Sequence, residues 1–346
     1  ARAGDSFTKK RKRIITGRMK SENKHIVVVG SINTDMTVKS GKLPRPGETV
    51  LGGVFFKNQG GKGANQAVAA ARLGASVRMI AKVGKDAFGE ESVASLAREG
   101  IDTAGILTDA EHPSGIAMIL VDDRGENMIS VASGANLALT PEELGAVEEI
   151  IRSAGIVLMQ LEIPMPVIEY VARMAKQHGA TVILNPAPAP KQQLPPELLA
   201  HVDILIPNQT EAELISGTAV NDYESAAAAA GKIGQMGVRT VIITMGAHGV
   251  FVYDSESGNS EIIVAKRVKA TDTTAAGDCF CGALSVALNE GRPLNEALDF
   301  ANRAAAISVT RRVTTNRRRI IGPKILLSHR SSNYSLPPRY HRHNEL

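Results

Sequence analysis

Cysteine is scarce: two residues, Cys279 and Cys281, stand one residue apart, too close to staple distant segments. A disulfide framework is excluded, and a reducing compartment, the cytoplasm, is the expectation. No apolar run approaches the ~20 residues of a membrane span, so no membrane partner is expected. The N-terminus is basic, but no apolar stretch follows it as in a secretory signal. There is no Cys/His cluster at zinc spacing, no Ser/His/Asp set that can be defended, and no internal repeat. Tryptophan is absent and aromatics make up 3% of the chain.

What is present is length and apolar mass. The chain has 346 residues, 43% of them hydrophobic, enough to bury the core of one large α/β domain or two modest ones. The net charge of +5 conceals a division. Residues 1–24 hold 9 Lys/Arg against 2 Asp/Glu, and residues 311–346 hold 9 against 1. The intervening 25–310 holds 22 against 32, a net −10. An acidic body argues against a nucleic-acid-binding fold. The basic tails offer only Phe7, Tyr334 and Tyr340 as stacking rings, so no specific nucleic acid is expected there.

Residues 1–24 show no sustained period and read as a disordered basic extension, with Met19 the expected biological start. From His25 the pattern is regular. Short apolar runs at 25–32, 77–84, 155–161, 181–185, 202–208 and 240–246 read as strands. Helical patterns run over 62–73, 86–98, 164–178, 223–236, 276–289 and 295–310. Strands separated by helices predict a doubly wound, mainly parallel central sheet covered on both faces. The alternating stretches near 36–57 and 115–133 do not fit that scheme and predict a small separate β-sheet, a lid. VFVYD and EIIVA suggest a β-ribbon.

Five segments carry chemistry. Asp272-Thr273-Thr274-Ala275-Ala276-Gly277-Asp278 precedes an Ala- and Leu-rich helix, whose first N–H groups and dipole make an anion site. Asp278 beside that site can accept a hydroxyl proton as the hydroxyl attacks phosphorus. Gly60-Gly61-Lys62-Gly63-Ala64-Asn65-Gln66 opens a helix without the spacing of a P-loop, and suits a polyhydroxyl ligand. Asn33 and Asp35 leave the first strand two residues apart, so in extended chain they point the same way. An amide and a carboxylate on one face suit a sugar diol. Asn208-Gln209-Thr210-Glu211 follows a strand at the end where α/β sheets place ligands, and its oxygens suit Mg²⁺ held mostly through waters and phosphates. Thr244-Met245-Gly246-Ala247-His248-Gly249 is a strand-end glycine loop able to line a phosphate. Each segment also has a plain structural reading: a helix cap, a glycine turn, a polar turn, an acidic first turn, an exposed loop.

Together and in this order, from about His25 to Arg312, these motifs resemble the ribokinase-like family of carbohydrate and nucleoside kinases. GSINTD with GGKGANQA resembles its ribose-phosphorylating branch more than its adenosine or fructose kinases. The resemblance implies an ATP-dependent kinase that phosphorylates the 5-hydroxyl of D-ribose, with a kinase domain at 25–312 and a lid that forms a homodimer contact. It implies that Asn33, Asp35, Gly61, Lys62, Asn65 and Glu162 bind the sugar and that Asp278 is the base. The N–H groups of Ala276, Gly277 and Asp278 would form the anion hole. Asn208, Thr244, Met245, Gly246, Ala247, His248, Gly249 and Asn302 would contact ATP, with Glu211 near the magnesium. Asp272, Thr274, Ser308 and Arg311 would belong to a potassium site. Two departures stand out. NQTE replaces the common NETE, and the basic 313–346 replaces the segment that closes the cation site, as a reading-frame change would. Potassium activation is the property this puts in question. The alternatives are a kinase for another pentose such as deoxyribose, or a non-catalytic sugar- or nucleotide-binding protein.

Overall fold

The computed structural model describes residues 25–310 other than Lys191. The expected N-terminal extension at 1–24, the tail at 313–346 and Arg311 lie outside the described residues. In chain order the strands are β1 His25–Val29, β2 Asn33–Lys39, β3 Val54–Gly60, β4 Val77–Gly84, β5 Asp102–Asp109, β6 Gly115–Val121, β7 Asn127–Ala132, β8 Ala154–Met159, β9 Thr181–Leu184, β10 Ile204–Leu205, β11 Thr240–Thr244, β12 Val250–Asp254 and β13 Ser260–Ile263. The helices are α1 Lys62–Arg72, α2 Ala87–Arg98, α3 Glu148–Arg152, α4 Met165–Gln177, α5 Pro196–Leu199, α6 Gln209–Ser216, α7 Tyr223–Gln235, α8 Ala276–Asn289 and α9 Leu294–Ser308.

Nine strands form the main sheet in the order β13-β12-β11-β10-β9-β8-β1-β4-β5. From β11 to β5 every pairing is parallel, and β12 and β13 add the antiparallel ribbon at one edge. The alternation of HIVVV serves both faces at once. Val27 and Val29 pack into the core under α4, α6 and α7, while Ile26 and Val28 pack into the core under α1, α8 and α9. Both faces are therefore covered, which is why the strands read as continuous apolar runs. Each fully buried large aliphatic contributes roughly 1.5–3 kcal/mol by leaving water. The chain order reverses at β1, with β4 on one side and β8 on the other. This is the switch point where open α/β sheets form a crevice beyond their carboxyl ends.

Helix α1 buries Gly63, Gln66, Ala67 and Ala70, the i, i+3, i+4, i+7 stripe of an amphipathic helix. It packs on α8, which is buried almost continuously from Asp278 to Ala287. Gly282 makes their approach possible: a Cβ there would stand 2.7 Å from the Gln66 carbonyl.

The second sheet is the lid, in the order β3-β2-β6-β7. Strand β2 pairs antiparallel with β3 and parallel with β6, and β6 and β7 form the expected hairpin. Several bounds differ from those read in the sequence. Asn33–Asp35 is not a turn after β1 but the start of β2, so the lid begins three residues before 36. The run at 202–208 keeps only two strand residues. Val202 N–H is taken by the Leu199 carbonyl in the turn that ends α5, and Pro207 has no N–H to offer a ladder. Strand β5 has no counterpart in the sequence reading: DTAGILTD is a half-exposed edge strand with a weak apolar pattern.

Candidate active site

The switch-point crevice collects residues from five places. The turn after β1 supplies Ser31, and β2 supplies Asn33 and Asp35. The start of α1 supplies Lys62, Asn65 and Gln66, the segment after β8 supplies Gln160 and Glu162, and α8 supplies Asp278. Two glycines let these backbones meet. Gly61 caps α1 at φ 89°, and a Cβ there would lie 2.8 Å from both Asn33 N and the Ser31 carbonyl. A Cβ on Gly63 would lie 2.6 Å from Ser31 N. Helix α1 thus starts against the β1–β2 turn, where only glycine fits.

Glu162 ties this junction together. Its Oε2 accepts from the Ser31 hydroxyl, and from Lys62 N–H at 3.0 Å. Asp278 lies deeper, 7% exposed, in the first turn of α8. Asn65 Nδ2 donates to its Oδ2 at 3.2 Å, and Gln66 Nε2 donates to its Oδ1 at 3.0 Å. Burial pushes the carboxyl pKa up; the Lys62 charge and the Gln66 and Asn65 donors act against that, and the Glu162 charge adds to it. The Gln66 amide is itself held. It also donates to Asn185 Oδ1 at 3.1 Å and accepts from Gln160 Nε2 at 2.7 Å, while Asn185 Nδ2 donates to the Ile206 carbonyl at 2.8 Å.

The start of α8 is a strained turn of small residues. Ala275, its N-cap, holds φ 59°, the one non-glycine residue at positive φ among the described residues. Such strain costs of order 1 kcal/mol or more and collects at functional sites. It turns the chain so that the first ladder bond is Cys279 N–H to the Ala275 carbonyl at 2.9 Å. The N–H groups before it point past the helix start. The Ala276 N–H donates to the Thr273 carbonyl at 3.2 Å, so it serves the turn itself.

Asn208 and Glu211 form a capping box at α6: Glu211 N–H donates to Asn208 Oδ1, and Asn208 N–H to Glu211 Oε2, each at 2.8 Å. The plain reading of this motif is therefore also true. Burial raises the Glu211 pKa, the Asn208 N–H and Lys62 lower it, and Asp278 raises it further. Glu211 thus shares Lys62 with Asp278. Thr244 bridges to Asn208, and its N–H donates to the Pro207 carbonyl, bringing the Thr244–Gly249 loop beside the α6 start. Within that loop Met245 is buried, while Gly246, Ala247 and His248 are exposed. The His248 carbonyl accepts from the Tyr223 hydroxyl. Asn302, on α9, donates to the Ile263 carbonyl at 3.1 Å, fastening α9 to the end of β13.

Asp272 and Thr274 meet in one corner beside the end of α9, where the Ser308 hydroxyl donates back to the Ala305 carbonyl. Asp272 Oδ1 accepts from Thr274 N–H at 2.9 Å, and the N–H groups of Thr271 and Asp272 both donate to the Val309 carbonyl. The Asp272 carboxylate is the kind of oxygen a hard cation takes. Among the described residues no group of three or more His, Cys, Asp and Glu is arranged to hold a metal ion. Among the described residues no helix is long and apolar enough to cross a membrane.

Ser31, Gln66, Gln160, Asn185 and Asn136 were given no role from sequence. The signal was present for two of them: Gln160 and Asn185 are polar residues directly after the fully apolar ends of β8 and β9, at the ligand end of the sheet.

The pattern of the pfkB family carbohydrate kinases matches residues 23–319. The chain belongs to that family. It is 46% identical over 289 residues to the ribokinase of Haemophilus influenzae, a match covering 84% of this chain and 93% of that protein. It is 40% identical over 297 residues to the ribokinase of Schizosaccharomyces pombe, covering 83% and 92%. The deoxyribokinase of Salmonella typhimurium is 35% identical over 286 residues, covering 82% and 92%. The structure of Arabidopsis thaliana ribokinase complexed with ribose and ATP superposes with a TM-score of 0.80 at 31% identity, covering 89% of this chain and 98% of that one.

Proposed function

We propose that this chain transfers the γ-phosphoryl group of ATP to the 5-hydroxyl of D-ribose, with Asp278 as the general base. The observation that carries the reading is the setting of Asp278: a buried carboxylate in the first turn of α8, oriented at both oxygens by Asn65 and Gln66. These donors and Lys62 favour the ionised form that a base requires, against the cost of burial. The attacking hydroxyl gives its proton to Asp278 as its oxygen bonds to the γ-phosphorus and the bond from that phosphorus to the bridging oxygen breaks, releasing ADP. The N–H groups of Gly277 and Asp278, with the α8 dipole, stabilise the equatorial charge, and Ala276 holds the turn that aims them. Asn33 and Asp35, on one face of β2, and Asn65, Lys62 and Gly61, at the α1 start, bind the sugar hydroxyls, with Glu162 bracing the junction. Asn208, Thr244, the backbone of the loop to Gly249 and Asn302 bind the nucleotide. Magnesium, when bound, neutralises phosphate charge; Glu211 and Asn208 are the residues toward it. Asp272, Thr274 and Ser308 are those toward potassium. The lid is the homodimer contact.

Asp35 favours a diol, and hence ribose. The likeness to a deoxyribokinase supports 2-deoxyribose as the second reading. ADP release in a coupled assay with ribose, 2-deoxyribose, fructose and adenosine, each with and without potassium, decides between them. Ribose-dependent turnover is expected. Turnover with 2-deoxyribose alone would establish the second reading, and ATP binding without turnover on any acceptor would overturn both.

A further inference from the structure

Three chain crossings between body and lid meet at one buried amide pair. The first is Ile32–Asn33, where β2 leaves the body. The second is Gly115, where β6 begins; it pairs with Asn33 across the sheet. The third is Asn136, in the 3₁₀ turn Gly134–Ala138 that returns the chain from β7. Asn136 is 1% exposed and Asn33 4%. A Cβ on Gly115 would stand 2.2 Å from Asn33 Oδ1 and 2.3 Å from Asn136 Nδ2, so the glycine leaves the space the two amides fill.

The polarity of this pair follows from the backbone. Ile32 N–H donates to Asn136 Oδ1 at 2.9 Å, and Asn136 Nδ2 donates to the Ile32 carbonyl at 3.0 Å. An N–H can only donate and a carbonyl can only accept, so the Asn136 amide has one orientation. Its two Nδ2 hydrogens are shared among three acceptors, the Ile32 carbonyl, the Ser133 carbonyl at 3.0 Å and Asn33 at 2.8 Å. The Asn33 atom meeting Nδ2 must therefore be its oxygen, Oδ1.

We infer that Asn136 is a positioning residue for sugar recognition: by holding Asn33 Oδ1 it makes Asn33 a donor, not an acceptor, toward the sugar. The inference rests on the proposed sugar role of Asn33. The hydroxyl that accepts from Asn33 Nδ2 keeps its own proton for an acceptor, which Asp35, two residues along the same strand face, supplies. Recognition at β2 is then one donor and one acceptor in fixed order. The same amide links the first and third crossings directly and packs against the second, so lid placement and sugar polarity are coupled there.

Two variants test this in the full chain, with sugar affinity by calorimetry, sugar and ATP KM by steady-state kinetics, and Tm. Asn33→Asp keeps the oxygen that Asn136 holds and replaces the outward donor by an acceptor. It should fold with a lowered Tm, the carboxylate being buried beside Asp35, and lose about tenfold or more in sugar affinity with ATP KM unchanged. Asn136→Asp removes the donor to Asn33. It should raise sugar KM by a similar factor, with the smaller effect on kcat. Sugar affinity as in wild type for Asn33→Asp, or for folded Asn136→Asp, would overturn the inference. Where Asn136→Asp fails to fold, Asn33→Asp decides alone. The wild-type chain is run on all four acceptors in parallel. If it phosphorylates one other than ribose, the ribose reading falls and the amide inference is read on that sugar. If it phosphorylates and binds none, both fall.

Discussion

Asp278 answers to two opposed demands, and its setting shows how they are balanced. Burial pushes its pKa up, which disfavours the charge a base must carry, while Lys62, Gln66 and Asn65 restore part of it. Replacing it by Asn keeps the shape and removes both the charge and the proton acceptor. Asp278→Asn should therefore lower kcat by roughly 10²–10⁴, the usual worth of a positioned base, with ATP still bound; a kcat within tenfold of wild type would remove Asp278 from that role. The effect on stability should depend on pH. A carboxyl whose folded pKa exceeds its unfolded value loses stability as pH rises from the unfolded value through the folded one. The Asn variant escapes that loss but sets an amide nitrogen against one of the two donors, so its Tm relative to wild type should rise from acid to neutral pH; a thermal-shift series across pH checks both ends. Gln66→Met removes one donor to the carboxylate and should raise the Asp278 pKa further. The acid limb of its kcat–pH profile should then move to higher pH, with activity more depressed at pH 6 than at pH 8. Residue types and spacing made Asp278 and its neighbours Lys62 and Asn65 legible in the sequence. The amides behind them were not, because Gln160, Asn185 and Asn136 act through contacts across 94 to 119 positions that no local pattern encodes.

At the scale of elements, the root of the lid is fastened by a buried lysine. Lys82 in β4 pairs with Asp109 at the end of β5 at 2.8 Å, and with Glu143 at 2.7 Å. It also donates to the Ala138 carbonyl at 3.0 Å. It thereby joins the strand that precedes the lid to the chain that returns from it. Lys82, with the His112 and Glu111 N–H groups, holds the Asp109 carboxyl well below the usual carboxylate range. A depressed pKa contributes stability that is present above the unfolded value, near 4, and is lost as pH falls through the folded value. Asp109→Asn should therefore lower Tm at neutral pH by several degrees, and the difference from wild type should shrink below pH 4. A constant difference from pH 7 to pH 2 would mean that the pair contributes packing alone. Period made most elements readable: β4 matches the expected 77–84 and α8 the expected 276–289, because both are mostly buried and dominated by small and apolar side chains. Elements whose form is set from outside were not. Strand β5 is half exposed and β10 is cut short by a helix turn and a proline. Strand β2 begins early because Asn33 and Asp35 find partners in β3 and β6.

Over the whole molecule, the parts that fit least with a single chain standing alone are the two faces of the lid. Register across β3-β2-β6-β7 puts Ile129 and Val131 on the face that carries Asn33 and Asp35, and Phe55, Met118 and Met128 on the opposite one. All five are about half exposed. The first face looks toward the proposed sugar site, where apolar side chains exclude water from the reacting hydroxyl. On the second, Lys57 and Gln59 are held by Glu91 and Ser92 of α2, but the half-exposed apolar residues beside them have no partner layer in one chain, and a sheet apolar on both sides calls for a second layer. A second lid is the layer the proposed homodimer supplies. Charge does not oppose it: the row Val38–Phe55–Leu120–Met128 carries none, and Lys57 in the next row is paired with Glu91. Phe55→Glu combined with Met128→Glu puts two carboxylates on that face and leaves Asn33, Asp35 and the Ile129 face untouched. In sedimentation equilibrium the wild type should run at twice the chain mass and the variant at the chain mass, with Tm of the isolated fold little changed. The variant's sugar KM should rise, since a lid without its second layer is free to lift from the crevice, while ATP KM stays near wild type. A variant that remains dimeric would move the contact to another surface, and a monomer with unchanged sugar KM would separate assembly from the site.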